Sequence, residues 1–172
     1  MTKIHIVTDS TADLSSEQIA QYSIHVVPLS IQIDGKTLID GVDVQAEPFL
    51  EMMRTSKELP KSSQPAVGVF QELYDELGKN GDKILSIHMT GGMSGTVKSA
   101  QAAAEITNSD VTVIDSRFIS YALSFQVIEA AQKAQQGMHV EDIVKHLDKV
   151  RENTKLFVVV DTLDNLVKGG RI

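Results

Sequence analysis

The chain contains no cysteine and no long run of apolar residues. Without cysteine it can form neither disulfides nor zinc–thiolate sites, and it cannot use thiol catalysis. No apolar run approaches the ~18 residues that a membrane-spanning helix needs, and no long apolar stretch follows Met1-Thr2-Lys3 as in a signal peptide. We therefore expect a cytoplasmic protein.

Basic residues are also fewer than acidic residues. The chain has 16 Lys and Arg residues against 23 Asp and Glu residues, which gives a formal net charge of −7. Nucleic-acid binding requires clustered Lys and Arg, whereas the basic residues here are scattered along the chain. We expect no nucleic-acid partner.

Apolar residues make up 42% of the 172 residues, which is enough for one sizeable core. Short runs rich in β-branched residues have the composition of buried parallel strands. These runs are residues 4–7, 84–87, 111–114 and 156–160. Helical spacing of apolar residues over 119–134 and 140–150, with Gly137 between them, separates the last two runs. The alternation predicts an α/β fold with a mostly parallel sheet and helices on both faces.

Two local patterns add detail to this fold. Ser15 and Gln18 have the spacing of a capping box at the start of a first helix. Alternating apolar residues on either side of Asp34-Gly35 predict a small β-hairpin excursion near residues 25–40.

Small polar residues follow each predicted strand, in segments 8–13, 90–96, 115–116 and 161–162. Ligands of open parallel sheets bind beyond the carboxyl ends of the strands. The pattern therefore predicts a ligand site with a rim of hydroxyl groups.

Ser94 and Ser62 are the candidate binding residues within this rim. Ser94 lies in a glycine-rich segment before a predicted helix, where backbone N–H groups favour an anion, although the serine could equally be a helix cap. The segment matches neither a Walker A loop nor a G-x-S-x-G elbow. Ser62-Ser63 precedes Pro65 and a helix running to about Leu77, and capping by Ser63 is the alternative there.

Metal chemistry finds little support in the sequence. The five histidines show no metal-ligand spacing. Asp9 follows a predicted strand, but Thr11 stands where a metal-dependent phosphatase of the haloacid-dehalogenase type has its second aspartate. We expect neither a metal nor a cofactor.

Several motifs, taken together and in order, resemble the DegV family. They are VTDSTAD at 7–13, SSQP at 62–65, SGT at 94–96, VIDS at 113–116, DTL at 161–163 and KGGRI at 168–172. They extend over nearly the whole chain, and their joint occurrence is far more specific than any one of them.

The resemblance implies a non-catalytic carrier of a long-chain fatty acid such as palmitate, which presents the carboxylate to a separate ATP-dependent fatty-acid kinase. By the same resemblance, Ser62 and Ser94 hold the carboxylate and Arg171 lies near the head group. Transient contact with a membrane surface would serve lipid exchange. The family usually continues into a second domain, so residues 1–172 correspond to its N-terminal α/β domain.

Two other interpretations stay open from the residues alone. The same polar rim could belong to an enzyme, either a Ser94-dependent acyl hydrolase or an Asp9-dependent phosphatase, although no base pairs with Ser94 in the sequence. Alternatively, the chain could be an inert fragment that binds lipid weakly and self-associates through an exposed apolar cleft.

Overall fold

The computed structural model describes residues 2–170 of the chain. Its strands are β1 Ile4–Asp9, β2 His25–Val27, β3 Ser30–Ile33, β4 Lys36–Ile39, β5 Lys61–Ser63, β6 Lys83–His88 and β7 Asp110–Asp115. Its helices are α1 Ser16–Tyr22, α2 Ala46–Thr55, α3 Val67–Leu77, α4 Thr96–Ile106, α5 Ser120–Gln135, α6 Val140–Asn153 and α7 Asp164–Lys168. A 3-10 turn, Ser10–Ala12, follows β1 directly.

The main sheet has four parallel strands in the order β2-β1-β6-β7. This arrangement confirms the predicted parallel α/β class. The predicted hairpin excursion began too early, however, because His25–Val27 pairs with β1 as an edge strand of the main sheet. The alternation of apolar residues continues across Pro28, so the pattern does not reveal that the segment contributes strands to two different sheets.

Helices cover both faces of this sheet, as predicted. On one face Ile6, Leu85 and Ile87 pack with apolar residues of α5 and α6. On the other face Val7 and Ile84 pack with apolar residues of α3 and α4. Successive residues of β1 and β6 therefore point into two separate cores, since side chains alternate along a strand.

A second, antiparallel sheet of three strands has the order β4-β3-β5. The β3–β4 hairpin turns at Asp34 and Gly35, both of which have positive φ angles of 46° and 75°. A two-residue turn of this hand matches the twist of the strands, and glycine is the residue that adopts it at least cost. Strand β5 was not predicted, because it is only three residues long and entirely polar.

The predicted strand over residues 156–160 is wrong. Within residues 2–170 no other strand pairs with it, and Phe157 and Val159 are 84% and 94% exposed. Its β-branched composition favours an extended chain, but a strand also requires a neighbouring backbone to complete its hydrogen bonds. The polar residues Asp161 and Thr162 therefore do not follow a strand, contrary to the prediction.

Helix ends follow the sequence in part. The capping box is present, since Ser15 Oγ accepts from Gln18 N and Gln18 Oε1 accepts from Ser15 N. Gly137, with φ of 80°, follows the end of α5 as predicted.

Helix α3 begins later than expected, with Ala66 rather than Ser63 at its cap. No helix between residues 2 and 170 is long and apolar enough to cross a membrane.

Candidate functional site

The loops after β1, β6 and β7 meet at the carboxyl edge of the main sheet, as the sequence predicted for these three strands. Asp115, at the end of β7, connects the loop after β6 to the loop after β7 through hydrogen bonds. Its Oδ2 accepts a hydrogen bond from Gly91 N at 3.1 Å, and its Oδ1 accepts one from Arg117 N at 2.8 Å. The glycine-rich loop before Ser94 is thus fixed to the neighbouring strand.

Ser94 is half-buried immediately before α4. Its Oγ lies 2.9 Å from Thr96 Oγ1 and accepts a hydrogen bond from Thr96 N at 3.3 Å. The helix cap itself, Gly95, provides no side-chain hydrogen bond. The remaining N–H groups of the first turn therefore keep the partial positive charge of a helix N-terminus, which favours an anion beside Ser94.

Ser62 lies in the middle of β5 and is exposed. It stands directly opposite Ile31 of β3, so the two side chains lie on the same face of the small sheet. Its Oγ makes no hydrogen bond with any residue between 2 and 170. The hydroxyl is therefore available to a ligand. The alternative for this segment, capping of α3 by Ser63, is wrong, because Ser63 lies in β5 and Ala66 is the cap.

The segments that carry the two serines are connected. Gln64, just after β5, donates from Nε2 to Ser99 Oγ of α4 at 2.9 Å. No local pattern in the sequence indicated this contact, since the partners are 35 positions apart. The third predicted site residue, Arg171, lies outside the described residues.

Asp9 is fully buried at the end of β1 and accepts four hydrogen bonds. Thr11 donates to it from N at 3.1 Å and from Oγ1 at 2.6 Å, Met89 N donates at 2.9 Å, and His88 Nδ1 lies at 3.0 Å. Burial alone raises the pKa of a carboxyl group. Here the hydrogen bonds and the charge interaction with His88 outweigh burial and hold the pKa of Asp9 below its ordinary value.

His88 extends this network into the core, which the sequence patterns did not reveal. His88 Nε2 lies 2.7 Å from Ser86 Oγ, which in turn lies 2.7 Å from the hydroxyl of Tyr74. All of these side chains are fully buried, and burial raises the pKa of Tyr74 to about 12. Ser86 and His88 are two residues apart on β6, so their side chains lie on the same face of the strand. This spacing is the sequence signal from which the Ser86–His88 contact could have been predicted.

The order Ser86, His88, Asp9 has the connectivity of a hydrolytic triad, but its geometry does not serve hydrolysis. The Ser86 hydroxyl is fully buried and bonded to Tyr74, so no substrate carbonyl reaches it. Ser94 has neither a histidine nor a carboxylate as a hydrogen-bond partner within residues 2–170. Asp9 is likewise shielded, with both carboxylate oxygens occupied. The network stabilises the sheet edge and does not supply a nucleophile.

A cavity of about 730 Å³ opens beside the carboxyl ends of β1 and β2. This volume is typical of small-molecule pockets. Most of its lining is apolar and comes from the first loop, α1, the segment of β2 and β3, the loop between β4 and α2, and α2 itself. The apolar lining residues are Ala12, Leu14, Ile19, Val26, Pro28, Ile31, Val42, Val44, Ala46 and Phe49. The sequence patterns did not predict this cavity, because its walls are drawn from five separate elements.

Within the described part of the chain, no group of three or more His, Asp or Glu side chains is arranged to hold a metal ion. The candidate residues are a serine hydroxyl without a partner among residues 2–170, in Ser62, and a second serine at a helix N-terminus, Ser94. Neither serine lines the apolar cavity, but Ile31 lines it and stands opposite Ser62. Such a combination suits a ligand with an anionic head and an apolar body.

Comparison with known proteins places the chain in a family. Residues 3–172 match the family described as "Uncharacterised protein, DegV family". A DegV domain-containing protein of Streptococcus pneumoniae is 49% identical over 172 residues, which cover all of this chain and 62% of that relative. The chain thus spans less than two thirds of the relative's length.

Two solved structures resemble the fold closely. DegV of Bacillus subtilis, described as a fatty acid binding protein, is 35% identical with a TM-score of 0.95, over 99% of this chain and 61% of that one. A fatty-acid-binding DegV family protein of Thermus thermophilus is 31% identical with a TM-score of 0.90, over 98% and 60%. Both descriptions name fatty acid binding. The chain belongs to the DegV family.

Proposed function

We propose that this chain binds a long-chain fatty acid, with the carboxylate held by Ser62 and Ser94 and the acyl tail in the cavity of about 730 Å³. The observation that carries the proposal is the position of Ile31. This residue lines the cavity and stands directly opposite Ser62 across the small sheet. The apolar wall therefore lies on the same face as a hydroxyl that has no partner among residues 2–170. The fatty-acid-binding descriptions of the Bacillus subtilis and Thermus thermophilus structures support the same ligand class.

The two serines suit a carboxylate for different reasons. Ser62 offers a hydroxyl with no partner within residues 2–170, and Ser94 lies where the N-terminus of α4 favours negative charge. By the family resemblance, Arg171 adds a third, positively charged contact. Hydrogen bonds to a charged group contribute about 1.5–3 kcal/mol each.

The tail contributes more free energy than the head group. At ~0.8 kcal/mol per buried methylene, about fifteen methylenes give roughly 12 kcal/mol before the costs of association. The cavity therefore sets the affinity. The serines set the orientation of the ligand and select a carboxylate over uncharged head groups.

The proposal extends to partners and to domain organisation. By the family resemblance, a separate ATP-dependent kinase would phosphorylate the bound acid. We include such a kinase, and transient contact with a membrane surface for lipid exchange, in the proposal. Because relatives are longer, we also propose that residues 1–172 act as the N-terminal, ligand-holding domain of a DegV protein.

Binding of hexadecanoic acid by the purified chain tests the proposal. Ser62→Ala and Ser94→Ala should each weaken binding about tenfold, as expected for loss of one charged hydrogen bond. Ser63→Ala is the matched control, because its side chain points to the opposite face of β5 and should leave binding unchanged. Equal affinity in all three variants would contradict the assigned residues, and hydrolysis of acyl esters by the chain alone would contradict a carrier.

If the chain binds hexadecanoic acid only weakly, a second titration is needed to find the reason. The same titration on the chain extended by the C-terminal part of the Streptococcus pneumoniae relative separates an inert fragment from an incomplete site. Tighter binding by the extended protein supports a ligand-holding domain, whereas no binding by either protein refutes the proposed ligand.

A further inference from the structure

Gln64 links the segment of Ser62 to the helix that follows Ser94. Its Nε2 donates to Ser99 Oγ at 2.9 Å, and Ser99 is buried one turn into α4. Gln64 itself is exposed, so its amide group is held by this hydrogen bond and not by burial in a core.

Gly95 lets this contact form. A Cβ atom on Gly95 would lie 1.9 Å from Gln64 Oε1 and 2.6 Å from its Cδ, so the amide of Gln64 rests directly on the Gly95 backbone. The φ angle of Gly95 is −77°, which any residue adopts. The glycine therefore leaves room for the Gln64 amide, and its backbone conformation is not what calls for glycine.

The two serines need such a link because they belong to different sheets. Ser62 lies in the antiparallel sheet of β3, β4 and β5, whereas Ser94 follows a strand of the parallel sheet. The strands of the two sheets are not hydrogen-bonded to one another within the described residues. Without a bridge at this end, the separation of the two hydroxyl groups would vary with every motion of the small sheet.

We propose that Gln64 is a positioning residue that fixes the distance between the Ser62 and Ser94 hydroxyl groups, so that both bind one carboxylate; this inference rests on the function proposed above. Hydroxyl–carboxylate hydrogen bonds are strong only over a narrow range of distances, near 2.5–2.7 Å. A bridge formed before binding lowers the cost of ordering the two segments around the ligand. Gln64 acts through the serines and need not touch the fatty acid.

The test compares affinities for hexadecanoic acid and for its methyl ester, which has the same tail without the charge. In the wild type the acid binds more tightly. Gln64→Ala should reduce this preference about tenfold and leave the affinity for the ester unchanged, because the cavity is intact. Gln71→Ala is the matched control, since Gln71 of α3 makes no side-chain hydrogen bond within residues 2–170.

Two further variants address the contact itself. Ser99→Ala removes the acceptor and should reproduce the effect of Gln64→Ala, and the double variant should show no additional loss. Gly95→Ala should have the same effect by displacing the Gln64 amide. Equal losses for acid and ester would mean a merely structural role and overturn the inference, as would an unchanged acid preference in Gln64→Ala.

These outcomes separate the inference from the proposed function. If the wild type shows no preference for acid over ester, the carboxylate site fails and the positioning role fails with it. If the wild type shows the preference and Gln64→Ala retains it, only the positioning role is wrong.

Discussion

His88 Nδ1 lies 3.0 Å from Asp9 Oδ2, and both side chains are fully buried where β1 and β6 end. This contact joins the first loop of the site to the core, because Asp9 also holds the backbone of Thr11 and Met89. The hydrogen-bond network continues from Asp9 through His88 and Ser86 to Tyr74. A buried carboxylate is stable in the fold only while these donors satisfy it.

Replacing His88 by alanine should therefore lower the free energy of unfolding by about 3–5 kcal/mol, because a buried carboxylate loses its partner. Urea denaturation followed by circular dichroism measures the change. His139→Ala is the control, since His139 is exposed and its side chain does not cap α6, and it should stay within about 0.5 kcal/mol of the wild type. Similar stability of the two variants would refute the role assigned to the network.

The depressed pKa of Asp9 predicts how stability depends on pH. A carboxyl group whose pKa is lower in the folded state stabilises the fold above its unfolded value, near 3.9, and loses this contribution as pH falls through the folded value. The wild type should thus exceed Asp9→Asn in stability at about pH 6, and the difference should shrink below about pH 4. Urea midpoints across this range check the prediction, which parallel curves would contradict.

Blocking the cavity should shorten the acyl chains that the protein accepts. Ala46 lines the cavity from the start of α2, and Ala46→Trp would occupy space that the proposed tail needs. If three methylenes lose their burial, at ~0.8 kcal/mol each, affinity for hexadecanoate should fall roughly 50-fold while octanoate binding changes little. Glu47→Trp, one residue later and outside the cavity lining, is the control. An equal effect of both variants would place the tail elsewhere.

Substitution of Thr8 should raise the free energy of unfolding, in contrast to the substitutions of His88 and Asp9. Its hydroxyl is fully buried on β1, and no group within residues 2–170 hydrogen-bonds to it. A buried hydroxyl without a partner costs free energy, so Thr8→Val should stabilise the fold by about 1 kcal/mol. Thr11→Val should instead destabilise it, because Thr11 Oγ1 donates to Asp9 Oδ1 at 2.6 Å. Thermal unfolding of both variants measures the contrast, and a loss of stability in Thr8→Val would contradict it.

Local structure and the class of fold can be predicted from the sequence alone. Its strand and helix periodicities gave the parallel sheet with helices on both faces, and short-range chemistry gave the Ser15–Gln18 capping box and the turn at Asp34-Gly35. It also placed polar loops at the ends of β1, β6 and β7. These features depend on neighbours in the chain, so a pattern of residues is enough to predict them.

Contacts between distant residues became known from the tertiary structure. It paired the polar strand β5 with β3, moved His25–Val27 into the main sheet and left residues 156–160 without a partner within residues 2–170. It also brought His88 to Asp9 and Gln64 to Ser99, across 79 and 35 positions of sequence. Pairings of this kind depend on the packing of whole elements against one another, which the composition of a single segment does not specify.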